Sequence, residues 1–524
     1  MMTQNGFPVV TALIVLPLVA AVALLFMRRE WPVRMVTLAV GILECLLALP
    51  LLGYAPDGPA FQFVEQAPWL PALGMTYHLG VDGLSLYMIL LTALMLPLCV
   101  LGSWTYIAKR VTEFHFCLLL MTSACIGVFA ALDFVLFYVF WEAMLVPMYL
   151  LIAVWGGPRR RYASIKFFLY TLAGSTLLLA AIVAFRQVGG TFSIPELMEK
   201  SYAFKFQFWA FLAMALAFAI KVPMFPFHTW LPAAHVEAPA AGSVLLAAIL
   251  LKMGTYGFLR FCLPLTPAAT ETFAPLMIAV SIAGILYGGC IALGQTDIKK
   301  LIAYSSVGHM GFVTLGIFLL STKGVSGAIL QMLNHGITTG GLFMMIGLLY
   351  ERSHSREIGD NQGLGKFMPI FMFLFGLFSF SSLAFPGTNS FVGEVLVLIG
   401  AFQGNTWIGF AAVPGAMLAA AYMLRLLQRV TWGEPSAYKA SWKDLGVREW
   451  ATLAPLAVLV FYIGLAPALA ITTIEPSIDR TLATLRAKNL AMGLTKDMPL
   501  AERWQLSGPL AVAGVSDSIR KEHP

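Results

Sequence analysis

Six side chains in this sequence are suited to holding or passing a proton, and each stands in a stretch that is otherwise apolar. Glu142 interrupts Phe140-Trp141-Glu142-Ala143, Lys221 precedes Val222-Pro223, Lys252 follows Leu250-Leu251, and Glu394 closes Phe391-Val392-Gly393-Glu394. His309 ends Ser305-Ser306-Val307-Gly308-His309, and His335 follows Asn334. A charge at the middle of a membrane costs about 2.5–3.5 kcal/mol on insertion scales, so such residues persist where they pair, meet water or titrate. Burial disfavours the charged form of a carboxyl and of an amine alike, and an opposite charge restores it. A pair such as Glu142 and Lys221 therefore keeps or loses a proton according to where nearby charges stand. Histidine titrates near neutrality and carries a proton in either direction. The six residues read together as a relay. An inert ion pair would explain any one pair, but four buried charges in four spans are harder to explain that way. A haem held between His309 and His335 is the competing use of those two rings, and nothing beyond the pair supports it.

The elements that hold these residues follow from composition. Of 524 residues, 59% are hydrophobic and 11% are charged, against about 25% charged in an ordinary soluble domain. So little charge cannot cover a soluble surface of that size. Lipid forces the backbone to satisfy its own hydrogen bonds, so each apolar run is expected to form a helix, and the chain reads as an all-α polytopic membrane protein with about fourteen spans. The first run lacks a basic leader and a small-residue cleavage site, so it is expected to remain as a span. The relay residues fall in spans predicted at 134–156, 206–234, 240–263, 301–321, 326–350 and 367–402. Two of these are long and carry breakers. Pro223 and Pro226 lack an N–H and clash with the carbonyl four residues back, so the seventh span should open just after Lys221. The twelfth repeats the device in Phe385-Pro386-Gly387-Thr388-Asn389, ahead of Glu394. As one straight helix the twelfth would measure about 54 Å, so it is expected to be a single interrupted crossing.

Loop charge sets the parity. Nineteen Lys and Arg residues, Lys439 among them, fall on one side, and five (Arg186, Lys200, Lys205, Arg260, Lys323) on the other. The bias fits a positive inside and puts both termini outside. The last span is expected at 449–474, followed by a polar arm with seven Lys and Arg residues that is free or meets a partner. A repeat is readable at an offset of roughly 161–165 residues, with Asp133 and Asp297 before the fifth and tenth spans and the two broken spans as counterparts. Five spans separate each pair, so the copies are inverted. The expected organisation is a three-helix segment over 1–112, a first repeat over 113–263, a second over 273–432, and the last span with its tail over 433–524.

Several features point away from other chemistry. The six cysteines stand singly with no C-x-x-C, so iron–sulfur and structural zinc sites are not expected. Gly363-Leu364-Gly365-Lys366-Phe367 lacks the first glycine and the Ser/Thr of a phosphate loop. Glu44, in the second span, is expected to snorkel or meet a partner. Asp82 and Asp133 open spans, where a carboxylate suits the helix dipole. His228, His235 and Glu237 lie at the inner mouth between the seventh and eighth spans, either feeding protons inward or sitting in a solvated loop.

The motifs Phe140-Trp141-Glu142-Ala143-Met144-Leu145-Val146-Pro147, Lys221-Val222-Pro223, His228-Thr229-Trp230-Leu231-Pro232, Tyr304-Ser305-Ser306-Val307-Gly308-His309-Met310-Gly311 and Asn389-Ser390-Phe391-Val392-Gly393-Glu394 resemble the antiporter-like subunits of proton-translocating NADH:quinone oxidoreductase, respiratory complex I. The resemblance covers nearly all the spans and is nearest to the subunit M (chain 4) branch, because the broken twelfth span carries glutamate rather than lysine. It implies that Glu142 and Lys221 are the essential pair, Lys252 the central lysine, and Glu394 the outward exit, with His309 and His335 on the axis between. It implies proton translocation in a bacterial plasma membrane, with no redox centre in this chain. NADH, FMN, iron–sulfur clusters and quinone would belong to partner subunits. The implied partners are the other membrane subunits, above all the two paralogous antiporter-like ones, with no nucleic acid. A subunit of a multisubunit sodium/proton antiporter shares the repeats and the Glu–Lys pair and is the alternative; a passive assembly scaffold is a second.

Overall fold

The computed structural model of the chain describes residues 2–3, 6–434, 442–495 and 498–505; Lys439 and residues 506–524 of the tail lie outside the described residues. Two helices, α1 (Val9–Leu24) and α2 (Glu30–Ala48), lead into α3 (Leu86–Gly102) and α4 (Val111–Ala130). Next come α5 (Phe134–Trp155), α6 (Arg160–Gly189), α7 (Phe204–Lys221), α8 (Trp230–Glu237) and α9 (Ala240–Leu265). The second half runs through α10 (Pro267–Leu293), α11 (Ile298–Phe318), α12 (Thr322–Ser353), α13 (Pro369–Ser382), α14 (Asn389–Gly404) and α15 (Thr406–Thr431). Two helices, α16 (Val447–Leu465) and α17 (Ala468–Ala491), follow. Among the described residues, eleven helices are long and apolar enough to cross a membrane, or twelve if the sharply bent pair Gly359–Lys366 and Pro369–Ser382 counts as one span. Three shorter apolar helices, α1, α3 and α14, fall on the first, third and twelfth predicted spans.

Burial sorts the helices by position. The window of α9 is wholly buried, and α11 and α12 nearly so. By contrast α6, α10 and α15 expose Leu169, Val183, Leu276, Phe410 and Met417, as lipid-facing helices should. The central axis of the molecule is therefore α9, α11 and α12, where an unpaired polar group would be most costly.

Both predicted breaks are present. α7 ends at Lys221, and the chain passes through Val222–Pro226 and a single 3-10 turn before α8. The carbonyl of Ile220, freed by the break, accepts the Trp230 indole N–H at 2.8 Å. α13 and α14 pack along α12 and α15 but touch one another little, so they lie end to end across the break at Leu383–Thr388. There Gly387 has φ +91°, a left-handed conformation that a side chain would strain. The repeat has a matching signature. Asp133 caps α5 by accepting from Val135 N and Leu136 N, and bridges Ser193. Asp297 caps α11 by accepting from Lys300 N, and bridges Glu357. Asp133 also accepts from Thr76 on one face of the protein, while Asp297 meets Arg356 on the basic face, so the two copies stand upside down to one another.

Two sequence expectations need correction, and one connection carries an element that the sequence reading did not describe. Between α2 and α3, β2 (Gln62–Leu70) and β3 (Met75–Val81) form an antiparallel hairpin, with β1 (Met2–Thr3) added at its edge. The last span ends at Leu465, and Pro467 starts a separate helix, α17, within what was expected to be the end of that span and a polar arm. α17 packs back on the chain: Lys488 Nζ donates to the carbonyls of Met198 (2.5 Å), Lys200 (2.8 Å) and Pro264 (3.0 Å), just before α7 and at the end of α9. Finally, Arg260 and Lys299, counted with the loop charges, are buried at helix ends.

Candidate functional site

Four of the six predicted residues form a contiguous polar row. Lys252 stands in a short α segment of α9 (Leu251–Gly257) flanked by π-helical turns at Leu246–Leu250 and Phe258–Cys262. A π turn shifts the hydrogen-bond ladder and leaves a backbone group to find another partner. Here the Ala247 carbonyl accepts from Lys252 Nζ, which holds the ammonium on the side facing α12. Lys252 Nζ lies 2.6 Å from His335 Nδ1. The rings of His335 and His309 are 5.7 Å apart between centroids. His309 Nδ1 in turn lies 3.0 Å from Glu394 Oε1. All four side chains are buried.

The flanking groups fix the row. Gln331 Nε2 donates to the same Glu394 oxygen at 3.0 Å. His309 Nε2 faces Ser382 Oγ at 3.3 Å and Tyr422 OH at 3.4 Å. Glu394 Oε2 and His335 Nε2 have no partner within the chain. In the α13–α14 break, Asn334 Nδ2 donates to the Asn389 carbonyl at 2.8 Å and Ser381 Oγ donates to Asn389 Oδ1 at 2.6 Å, meeting groups that lipid would leave bare. The row thus ends beside the break that the prolines and glycine create.

The other two residues are arranged differently from the expectation. Glu142 and Lys221 are not in direct ion-pair contact. Lys221 Nζ meets the Met144 thioether at 3.4 Å and lies over the Trp141 ring at 4.9 Å from its centroid. The Glu142 carboxylate lies within electrostatic range of Lys221 and of Tyr138, and its Oε1 is buried with no partner. An ammonium on an aromatic face and a soft sulfur is held loosely compared with one on a carboxylate. The pair is therefore coupled by field, not locked by contact.

Other polar residues find different roles. Asp82 and Arg260 form a buried ion pair at 2.6 Å. Arg260 Nε also donates to Tyr256 OH at 2.9 Å, and Tyr256 OH donates to the Phe129 carbonyl at 2.9 Å. This network lies two turns along α9 from Lys252, toward the hairpin face, and Asp82 anchors it while also accepting from Leu84 N and Ser85 N in the turn that leads into α3. Glu44 does not snorkel: it is buried, and both of its oxygens lack a partner. His228 is buried against Phe225 and Tyr287. Sequence reasoning missed Gln331 and Tyr422. Gln331 was within reach, because it stands four residues before His335 and so shares its helix face.

A family described as NADH:quinone oxidoreductase/Mrp antiporter, TM, matches residues 131–419, a stretch that includes the six candidate residues. The chain is 44% identical to NADH-quinone oxidoreductase subunit M of Rhodobacter capsulatus over 507 residues, covering 92% of this chain and 98% of that one. A chain in the structure of respiratory complex I from Thermus thermophilus with bound NADH is 34% identical and superposes with a TM-score of 0.84, over 91% of this chain and 99% of that one. A chain of the Mrp complex from Dietzia sp. DQ12-45-1b shares the fold, with a TM-score of 0.81 at 22% identity over 92% and 99%.

Proposed function

Because the chain belongs to the NADH:quinone oxidoreductase/Mrp antiporter membrane family, on its subunit M branch, we propose that it moves protons through Glu142, Lys221, Lys252, His335, His309 and Glu394. It is an integral membrane subunit of the oxidoreductase and acts as part of that complex. In this reading the redox work stays outside the chain: NADH, FMN, iron–sulfur clusters and quinone belong to partner subunits. Its neighbours in the membrane arm are other subunits of the complex, foremost the two paralogous antiporter-like ones. The host membrane is a bacterial inner membrane, with the basic face inward and both termini outward. The repeats run over 113–263 and 273–432, flanked by 1–112 and 433–524.

Quinone reduction elsewhere shifts charge along the arm and changes the field at Glu142. Lys221, cushioned by Met144 and Trp141, responds to that field because no carboxylate holds it directly. The change reaches Lys252, which yields a proton to His335. His309 passes it on, and Glu394 releases it outward beside the α13–α14 break. Moving one charge against 100 mV costs about 2.3 kcal/mol. Making or breaking one buried charge interaction is worth about 3–5 kcal/mol, so a single such event is sufficient for one proton.

The observation that carries this reading is the buried row from Lys252 to Glu394, hydrogen-bonded at each end and joined in the middle by the neighbouring rings of His335 and His309. The test is Lys221→Ala in the assembled complex, with NADH oxidation and NADH-driven acidification measured in sealed vesicles. Loss of coupled turnover is expected. Full oxidation with full pumping would leave only a scaffold role, and pumping that requires sodium would move the chain to the antiporter function.

A further inference from the structure

Of the two rings in the row, only His309 has side-chain partners at both nitrogens; His335 Nε2 has none. His309 Nδ1 faces Glu394 Oε1 of α14, while Nε2 faces Ser382 Oγ at 3.3 Å and Tyr422 OH at 3.4 Å. Ser382 is the last residue of α13, and Tyr422 belongs to α15. The ring therefore bridges the α13–α14 break, held at one nitrogen from each side of it. All of these side chains are buried, where a ring nitrogen without a partner is rare.

The chemistry of the partners decides which nitrogen carries the hydrogen. An ionised carboxylate only accepts, and Glu394 Oε1 already accepts from Gln331 Nε2. A neutral His309 must then present Nδ1–H to Glu394, which leaves Nε2 bare and in need of a donor. Once the ring takes a second proton, both nitrogens donate, and Nε2–H needs an acceptor in the same place. An ammonium could serve only the first state and a carbonyl only the second. A hydroxyl serves both, because its hydrogen turns about the C–O bond. Both hydroxyl contacts are longer than the 3.0 Å contact to the carboxylate, so neither hydroxyl is clamped in one orientation.

We propose that Tyr422 and Ser382 are positioning residues for His309: they keep the hydrogen of the neutral ring on Nδ1, toward Glu394, and reserve Nε2 as the nitrogen that receives a proton. The step balances simply. A proton arrives on Nε2 and makes the imidazolium, and the hydroxyls turn from donor to acceptor. The Nδ1 proton then passes to Glu394 Oε1, leaving a neutral ring and a neutral carboxyl. One proton enters the ring, one leaves it, and no electron moves. Either hydroxyl can play the part alone, so the two are redundant. This rests on the translocation reading given above, and it adds to it the residues that decide which way round His309 works.

The test uses the purified, assembled oxidoreductase in proteoliposomes. Tyr422→Phe or Ser382→Ala alone leaves one hydroxyl at Nε2 and is expected to keep most of the parent's NADH-driven proton translocation. The two together leave none, and translocation is expected to fall roughly tenfold to hundredfold, the worth of a hydrogen bond to a group that carries charge in the cycle. Ser382→Thr and Ser382→Val are then compared in the Tyr422→Phe background. The two new side chains share one shape and differ in the hydroxyl, so the first is expected to translocate and the second to fail, a difference that a packing role does not produce. Equal translocation in those two overturns the proposal. Normal translocation in the double variant Tyr422→Phe with Ser382→Ala, beside its loss in His309→Leu, overturns the positioning role and leaves the wider reading standing. Normal translocation in both means the wider reading itself has failed. If the double variant does not assemble, the single ones decide: most of the parent's translocation in each supports the redundant pair, and a loss in either as deep as that of His309→Leu overturns it.

Discussion

The contact between His309 and Glu394 makes a sharp prediction, because Glu394 Oε1 has two partners at the same distance. His309 Nδ1 and Gln331 Nε2 both stand 3.0 Å from it, and only the histidine can carry a proton. Removing either partner takes away one hydrogen bond to a group that carries charge in the cycle, about 1.5–3 kcal/mol, or roughly 10- to 100-fold in the equilibrium it biases. His309→Leu and Gln331→Leu should therefore perturb the carboxylate to a similar degree. They should differ in transport: His309→Leu also cuts the path between His335 and Glu394, while Gln331→Leu leaves it whole. The assay is NADH-driven proton uptake by assembled complex in proteoliposomes, normalised to NADH oxidation. His309→Leu should lower the ratio of protons moved to NADH oxidised much further than Gln331→Leu does. Equal ratios in the two variants would reduce the row to a packing network and refute the relay.

The remaining predictions concern the hairpin face. Asp82→Asn leaves the Arg260 guanidinium buried without its counter-charge and should destabilise the subunit by about 3–5 kcal/mol, seen as a lower thermal transition of the complex; replacing both residues by apolar ones should recover much of that loss. Lys488→Met leaves three backbone carbonyls without their donor, at about 1–3 kcal/mol for each that water cannot reach, and limited proteolysis should then cut the segment after Leu465 faster than in the parent chain.

The breaks were legible because proline acts locally: Pro223 lacks the N–H that would continue α7, and the helix stops at Lys221 as its spacing requires. The buried charges were legible because a carboxylate or ammonium in an apolar run stands out against composition. Their contacts were not. Lys252 and His335 meet across 83 residues and His309 and Glu394 across 85, and nothing in local periodicity reports such pairs. Met144 and Trp141 lie against Lys221 only because the fifth and seventh spans pack at one particular depth. The hairpin was missed because Pro68 interrupts its first strand and the segment lies outside the bilayer, where hydropathy is a weak guide. Arg260 and Lys299 were read as loop charges because they stand at helix ends, where sequence does not separate a solvated side chain from one folded inward to a counter-charge or carbonyl. Tail and span merged at 449–474 because α17 opens with Ala468-Leu469-Ala470-Ile471, as apolar as the helix before it.

Lys488 also bears on how the protein is made. Its three acceptors precede it by 290, 288 and 224 residues, so a ribosome delivers them long before the amine that joins them. Closing so long a loop costs little more than closing one half its length, and the late join is thermodynamically cheap. Until it forms, the segment leading into α7 and the end of α9 are fastened only by their neighbours in the bundle. The helices bearing Lys221 and Lys252 thus gain this tie only after nearly all of the chain has been synthesised, and a product terminated before Lys488 lacks it.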